Sequence, residues 1–347
     1  TVKSNFENLD QANGGAITGS ANTNDIFEMS TGATTTNAST GASVVQTGIT
    51  KFETFKIVDG DSTVAATNAF HFADENAAYT NTSTYESVTI DATSITASDT
   101  PDVLTIDASD ETNAKLTIKG GDNAETIRIS RSGNFGDTIT AGAGNDTIEI
   151  EAASHLTKDD SIDAGTGTDT ISFVVNSTVT DAMFTGLTSI ETLTTAANKE
   201  LTLTLGAEAA ETGLATITYA GDAAETLTVG SGFTNDLKVT LKAEGANSIT
   251  ATNYTKDLNV ELTGAIGDDH AQTIKGGSGT TTVTYTQADA NDTFNVTGLT
   301  NVDKIIIKED TTGATDTTKI TLGDANVADG ASFTIDASGM TVDDIEV

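Results

Sequence analysis

The sequence predicts an all-β chain: a right-handed parallel β-helix or β-roll, a solenoid of short strands joined by tight turns. Three observations predict it. Short runs such as Leu201-Thr202-Leu203-Thr204-Leu205, Leu116-Thr117-Ile118 and Thr147-Ile148-Glu149-Ile150 alternate apolar with polar residues. That period of two buries one strand face and hydrates the other. Gly, Asn, Asp and Ser punctuate these runs along the chain, with a single proline at Pro101, as in an all-β protein. Finally, phrases recur at intervals, and recurrence in a β-rich chain means stacked units that bury their apolar edges against their neighbours.

Taken in order, residues 1–110 read as a first solenoid segment. The phrase Gly48-Ile49-Thr50-Lys51-Phe52-Glu53 lies here, as do Thr89-Ile90-Asp91-Ala92 and its copy Thr105-Ile106-Asp107-Ala108. Residues 111–175 hold the densest run of glycine and aspartate. Residues 176–347 return to the looser texture, with Gly186-Leu187-Thr188-Ser189-Ile190-Glu191, Gly298-Leu299-Thr300-Asn301-Val302-Asp303 and Thr334-Ile335-Asp336-Ala337 repeating the earlier phrases. Helical signals are brief. Ala207 to Glu211 and Asp74 to Ala78 each offer a turn or two, and neither sustains a period of 3.6 residues. The pattern runs from Phe6 to Val347 without the polar cap that a solenoid terminus needs. The expectation is therefore a segment of a longer protein.

Composition narrows the function classes. Against 51 Asp+Glu stand 16 Lys+Arg, a net charge of −35. Such a surface repels nucleic acid and anionic membrane, whose recognition needs Lys and Arg at phosphates, and it invites cations. With no cysteine, disulfides and Cys-ligated zinc or iron–sulfur sites are excluded. The core must come from Val, Ile, Leu, Ala and scattered Phe, since there is no Trp and only 5% of residues are aromatic. These small interior residues suit a slim, stacked architecture. No run approaches the length of a membrane span, and Thr1-Val2-Lys3-Ser4 does not read as a signal peptide.

The chemistry-bearing motif lies between Gly120 and Ser172. In nines it gives Ser132-Gly-Asn-Phe-Gly-Asp-Thr-Ile-Thr140 and Ala141-Gly-Ala-Gly-Asn-Asp-Thr-Ile-Glu149. After an insertion at 150–154 come His155-Leu-Thr-Lys-Asp-Asp-Ser-Ile-Asp163 and Ala164-Gly-Thr-Gly-Thr-Asp-Thr-Ile-Ser172. Each carries Asp at its sixth and Ile at its eighth position. A looser unit, Gly120-Gly-Asp-Asn-Ala-Glu-Thr-Ile-Arg128, precedes them with Glu in place of Asp. The glycines permit turns closed to other residues, and the carboxylates are hard oxygen donors suited to calcium.

This pattern resembles the repeats-in-toxin (RTX) family, whose nonapeptide Gly-Gly-x-Gly-x-Asp-x-apolar-x folds as a calcium-loaded parallel β-roll. The resemblance covers residues 120–172. It implies Ca2+ held between alternate units: Asp146 with Asp169, aided by backbone near Gly142, Gly144, Gly165 and Gly167, and Asp137 with Asp160, aided by backbone near Gly133 and Gly136. Departures are the lead residues Ala141 and Ala164, the glycine-free His155-Leu156-Thr157-Lys158, and the insertion, which disturbs the Asp137/Asp160 register. Gly276-Gly277-Ser278-Gly279-Thr280-Thr281-Thr282-Val283 keeps the glycines and loses the Asp, as a metal-free turn would.

No feature singles out catalysis. His71, His155 and His270 are far apart and lie in no His-Glu-x-x-His motif, and Asp268-Asp269-His270 reads as an acidic turn. Arg128 and Arg131 are the only arginines, and pairing with acidic neighbours such as Glu125 accounts for them better than a lyase site for acidic sugars. Nothing picks out a carboxylate pair for hydrolysis of neutral sugars, and there is no Gly-x-Ser-x-Gly elbow or phosphate loop. The expectation is a non-enzymatic protein. Thr- and Asn-rich, cysteine-free, acidic chains with scattered RTX units resemble calcium-dependent surface-layer (S-layer) proteins of Gram-negative bacteria. That resemblance implies an extracellular lattice of self-associated subunits, lipopolysaccharide anchoring through other regions, and type I secretion. A stalk segment of a secreted RTX adhesin, or a non-catalytic solenoid of a polysaccharide-active enzyme, is the alternative.

Overall fold

The structure, a computed structural model, describes residues 2–5, 17–18, 26–30, 44–45, 49–50, 52–59, 67–73, 87–96, 103–131, 135–221, 223–242, 245–264, 272–286, 293–308, 317–323, 326, 332–340 and 344–346. It is a parallel β-solenoid with almost no helix. The chain forms two compact units, Thr1–Ser172 with Thr185–Ile190, and Phe173–Phe184 with Glu191–Val347.

In the first unit, one sheet stacks Val2–Asn5, Ile26–Ser30, Thr54–Val58, Ser87–Ser94, Lys115–Lys119, Thr138–Thr140, Ser161–Asp163 and Leu187–Thr188. A second sheet runs through Thr67–Ala73, Val103–Asp110, Glu125–Arg128 and Thr147–Ile150. Pairing is parallel, and equivalent residues stack on one another. Ile90, Ile118, Ile139, Ile162 and Leu187 form one interior column; Ile106, Ile127 and Ile148 form another. These side chains are buried, each stabilising the fold by about 1.5–3 kcal/mol relative to exposure. Phe27, Phe52, Phe55, Phe70 and Phe72 fill the interior of the earlier turns, with Phe55 and Phe72 edge to face at 5.1 Å.

The second unit repeats this plan. One sheet stacks Ser177–Val179, Leu201–Leu205, Thr226–Val229, Ser248–Thr250, Thr273–Lys275 and Leu299–Thr300. Another stacks Thr192–Thr195, Thr216–Thr218, Leu237–Lys242, Leu258–Thr263, Thr281–Thr286, Lys304–Lys308 and Thr334–Asp336. A third, smaller sheet holds Thr293–Asn295, Thr317–Thr321 and Asp344–Glu346. Leu203, Leu227, Ile249, Ile274 and Leu299 stack inside the first of these.

The brief helical signal at Ala207–Glu211 is an α-helix; the one at 74–78 lies outside the described residues. The Gly276–Val283 phrase forms a turn leading into Thr281–Thr286. Among the described residues no helix is long and apolar enough to cross a membrane.

Candidate metal centre

Every nonapeptide ends its turn with an acid, then Thr or Ser, then Ile. The Ile starts a strand and points inward, which leaves the acid at the last bend, where it too is drawn inside. Asp137, Asp146, Asp160 and Asp169 are all buried, with Asp169 fully so. Consecutive units fall on opposite sheets, so acids of alternate units stand beside each other as the sequence implies. The Asp146 N–H donates to Asp169 Oδ1 at 2.7 Å, and the Asp137 N–H donates to Asp160 Oδ1 at 2.8 Å.

These contacts assign the carboxylates a structural task. Each acid accepts the backbone N–H of the residue one turn earlier, where no strand partner is available. The Glu125 N–H donates to Asp146 Oδ1 at 2.7 Å, continuing the first stack as Glu125–Asp146–Asp169. On the other side the Leu116 N–H donates to Asp137 Oδ1 at 2.8 Å. A buried N–H without an acceptor costs about 1–3 kcal/mol, so the sixth position caps the turns whether or not metal is present.

The glycines set how closely the turns approach. Gly165 (φ 98°) and Gly167 (φ 148°) adopt left-handed conformations. A Cβ at Gly165 would meet Gly142 O at 1.9 Å, and one at Gly167 would meet Gly144 O at 1.6 Å. Gly142 and Gly144 likewise have positive φ. Backbone therefore lies directly on backbone here: Thr166 N–H donates to Gly142 O at 2.9 Å and Gly144 N–H to Thr166 O at 2.9 Å. Gly136 packs the same way over Asp159 O. Gly133 lies outside the described residues.

The two stacks differ in what remains unsatisfied. In the Asp137/Asp160 stack, Asp137 Oδ2 accepts the Ser130 hydroxyl, and Asp160 Oδ2 accepts the Thr157 N–H at 2.6 Å and its hydroxyl at 3.1 Å. All four carboxylate oxygens thus have protein donors. In the other stack, Glu125 Oε1 and Asp146 Oδ2 are buried with no donor from other residues, and the two carboxyls lie within hydrogen-bond reach of each other. Burial, then the adjacent Asp146 charge, pushes the Glu125 carboxyl up to about 8. Burial also raises Asp146, to about 6, with Asp169 adding to the rise. Two inward-facing acid oxygens without donors form a hard donor set that takes up either a proton or a hard cation. Among the described residues no three His, Cys, Asp or Glu side chains converge as a ready-made metal cage, so a cation here would draw on backbone oxygens as well.

Sequence reasoning missed a third stack, in the second unit. The Leu201 N–H donates to Glu225 Oε2 at 2.7 Å, and the Glu225 N–H donates to Asn247 Oδ1 at 3.1 Å. Asn247 Nδ2 donates to Gln272 Oε1 at 2.9 Å, and Gln272 Nε2 to Gly245 O at 2.7 Å. The signal was present: Glu225-Thr-Leu, Asn247-Ser-Ile and Gln272-Thr-Ile repeat the acid-Thr-Ile triplet with amides substituted. Burial raises Glu225 to about 7.

The remaining candidates have ordinary partners. Arg128 donates to Glu149 at 2.5 Å and Asp107 at 3.0 Å, and Arg131 reaches Glu151 at 3.1 Å. The arginines do pair with acids, but Glu125 is not among those partners, because it faces inward. His71 lies 3.1 Å from Asp110, and His155 ends the short turn Ala153–His155; His270, with Asp268 and Asp269, lies outside the described residues. No family model matches this chain, and no curated protein or solved structure is significantly similar to it.

Proposed function

We propose that this chain is a calcium-stabilised structural solenoid of a bacterial surface layer. One observation carries the calcium part: the Glu125–Asp146–Asp169 stack, where buried acid oxygens lack donors between turns built of left-handed glycines. Asp146 and Asp169 would hold the ion together with carbonyl oxygens of the glycine turns, with Glu125 next in the stack. Calcium's preference for six to eight hard oxygens, many of them backbone, suits that set. The Asp137/Asp160 stack, saturated by protein donors, would need no ion.

The lattice part rests on the resemblance of this acidic, cysteine-free chain to surface-layer proteins. In that reading calcium outside the cell locks the turns and bridges copies, and regions beyond residues 1–347 contact lipopolysaccharide and direct type I secretion. Extracellular calcium modules bind at roughly 10⁻⁴ to 10⁻³ M. At millimolar calcium and the tighter end of that range, one site adds about 1.4 kcal/mol to the folded state.

Electron microscopy of the protein, stripped with a chelator and then given millimolar calcium, tests the proposal. Two-dimensional sheets formed only with calcium are expected. Isolated rods under both conditions would overturn the lattice and favour an adhesin stalk. A thermal midpoint indifferent to calcium would overturn the metal site.

A further inference from the structure

One sheet of the second unit presents an unusual outer face. In the parallel register of Ser177–Val179 to Thr273–Lys275, Thr178, Thr202, Thr226, Ser248 and Thr273 form one outward column. Two residues along each strand, Thr204, Thr228, Thr250, Lys275 and Thr300 form a second. Thr202, Thr204, Thr226 and Thr228 are exposed, and among the described residues their hydroxyls have no hydrogen-bond partner. The leucine and isoleucine column directly beneath holds the sheet in place.

Threonine is a strand former, and a solvated strand face is its ordinary home. The other large sheet of the same unit shows what such a face usually carries. Its outer columns include the ion pairs Lys238–Glu261 at 2.9 Å and Lys304–Asp336 at 2.7 Å. The threonine face carries no charge except Lys275, in a chain of net charge −35. Charge has been kept off one face and not the other.

The array is periodic in two directions. Strands repeat about every 4.8 Å and alternate residues about every 6.7 Å, and β-branched threonines hold few rotamers. Hydroxyls and methyls thus sit on a nearly fixed rectangular grid. Its extent, about 20 Å by 7 Å from those spacings, falls far short of the roughly 800 Å² a stable protein partner buries on each side. The columns offer no aromatic ring on which a sugar could stack. A rigid, periodic grid of hydroxyls and methyls, neutral apart from Lys275 near one edge, matches a neutral periodic solid whose hydrogen-bonding groups repeat on a similar scale, and the prism faces of ice have such a repeat.

We propose that this threonine array binds ice. The grid would order water in lattice-like positions that merge with the crystal, and its rigidity keeps the ordering cost low. This inference is independent of the calcium reading, because the array lies on a different unit from the Glu125–Asp146–Asp169 stack.

The test is partition of fluorescently labelled protein into a slowly growing ice front in millimolar calcium, alongside observation of crystal shape in a supercooled droplet. Enrichment in the ice and faceted crystals are expected. The double variant Thr226→Tyr/Thr228→Tyr, confirmed folded by circular dichroism, should fall to the level of an inert soluble protein, as should the milder Thr204→Lys. Thr216→Tyr, on the other sheet, should stay enriched. Exclusion of the unaltered protein from ice, or enrichment that survives both array variants, would overturn the proposal.

Discussion

The Glu125–Asp146–Asp169 stack of the first unit and the Glu225–Asn247–Gln272 stack of the second solve the same problem with different chemistry. Both supply acceptors for backbone N–H groups at turns where strand pairing stops. The amide stack also supplies donors: Asn247 Nδ2 faces the carbonyls of Lys242 and Gly245 as well as Gln272. The side chains of the acid stack supply none when ionised, so Glu125 Oε1 and Asp146 Oδ2 are met by a proton or by a cation. Glu225 Oε1 is buried without a partner at the head of the second stack just as Glu125 Oε1 is in the first, so what separates the two is the donors that Asn247 and Gln272 add after it.

Making the second unit resemble the first should have the largest effect. Asn247→Asp would aim a carboxylate at three oxygens and remove the donor they share, leaving Gly245 O to Gln272 Nε2 and the Asn247 N–H. A loss of about 3 kcal/mol or more is expected, read as faster amide exchange across residues 237–262. Equal exchange in the two proteins would show that the amide donors matter little.

The next largest effect comes from removing an acceptor. Asp146→Ala orphans the Glu125 N–H and should cost about 1–3 kcal/mol, together with any calcium-dependent protection of residues 120–172 from protease. Protection unchanged in calcium would remove Asp146 from the metal site.

The converse exchange sharpens the comparison. Asp146→Asn with Asp169→Asn keeps both Oδ1 acceptors and discards both charges. Stability without metal should hold or rise, while the response to calcium should vanish, measured as the thermal midpoint with and without chelator. A midpoint that still climbs with calcium would locate the metal elsewhere.

The second stack also predicts a pH dependence. Glu225 is raised in the folded state from the ordinary 4.5 to about 7. A raised carboxyl stabilises the fold fully below its unfolded value and loses that contribution as pH climbs through the folded one. Stability should therefore decline between about pH 4.5 and 7, and Glu225→Gln should flatten that part of the profile. An unchanged slope in the variant would assign the dependence to other acids.

Much of this arrangement was legible in the sequence. The sixth-position Asp and eighth-position Ile placed the acids at the bends and the isoleucines inside, while the pairing of Asp146 with Asp169 came from the resemblance to RTX repeats and not from the spacing alone. The departures around His155 also had meaning, because Thr157 supplies the donors that saturate Asp160. The amide stack was harder to read, since a search for acids passes over Asn247 and Gln272. The threonine grid was not legible either. Its columns depend on which strands align, and the loops between successive partners differ in length, with acceptor spacings of 22 to 25 residues in the second unit.

The capping bonds also have a direction. Along the acid and amide stacks the donor belongs to an earlier turn and the acceptor to a later one: Leu116 to Asp137, Glu125 to Asp146, Asp146 to Asp169, Leu201 to Glu225, Glu225 to Asn247. Other cross-turn bonds run the opposite way, from Thr168 back to Asn145 and from Glu200 back to Asn176. Each turn is therefore tied to the one before it and to the one after it, and an inner turn is finished only when both of its neighbours are in place.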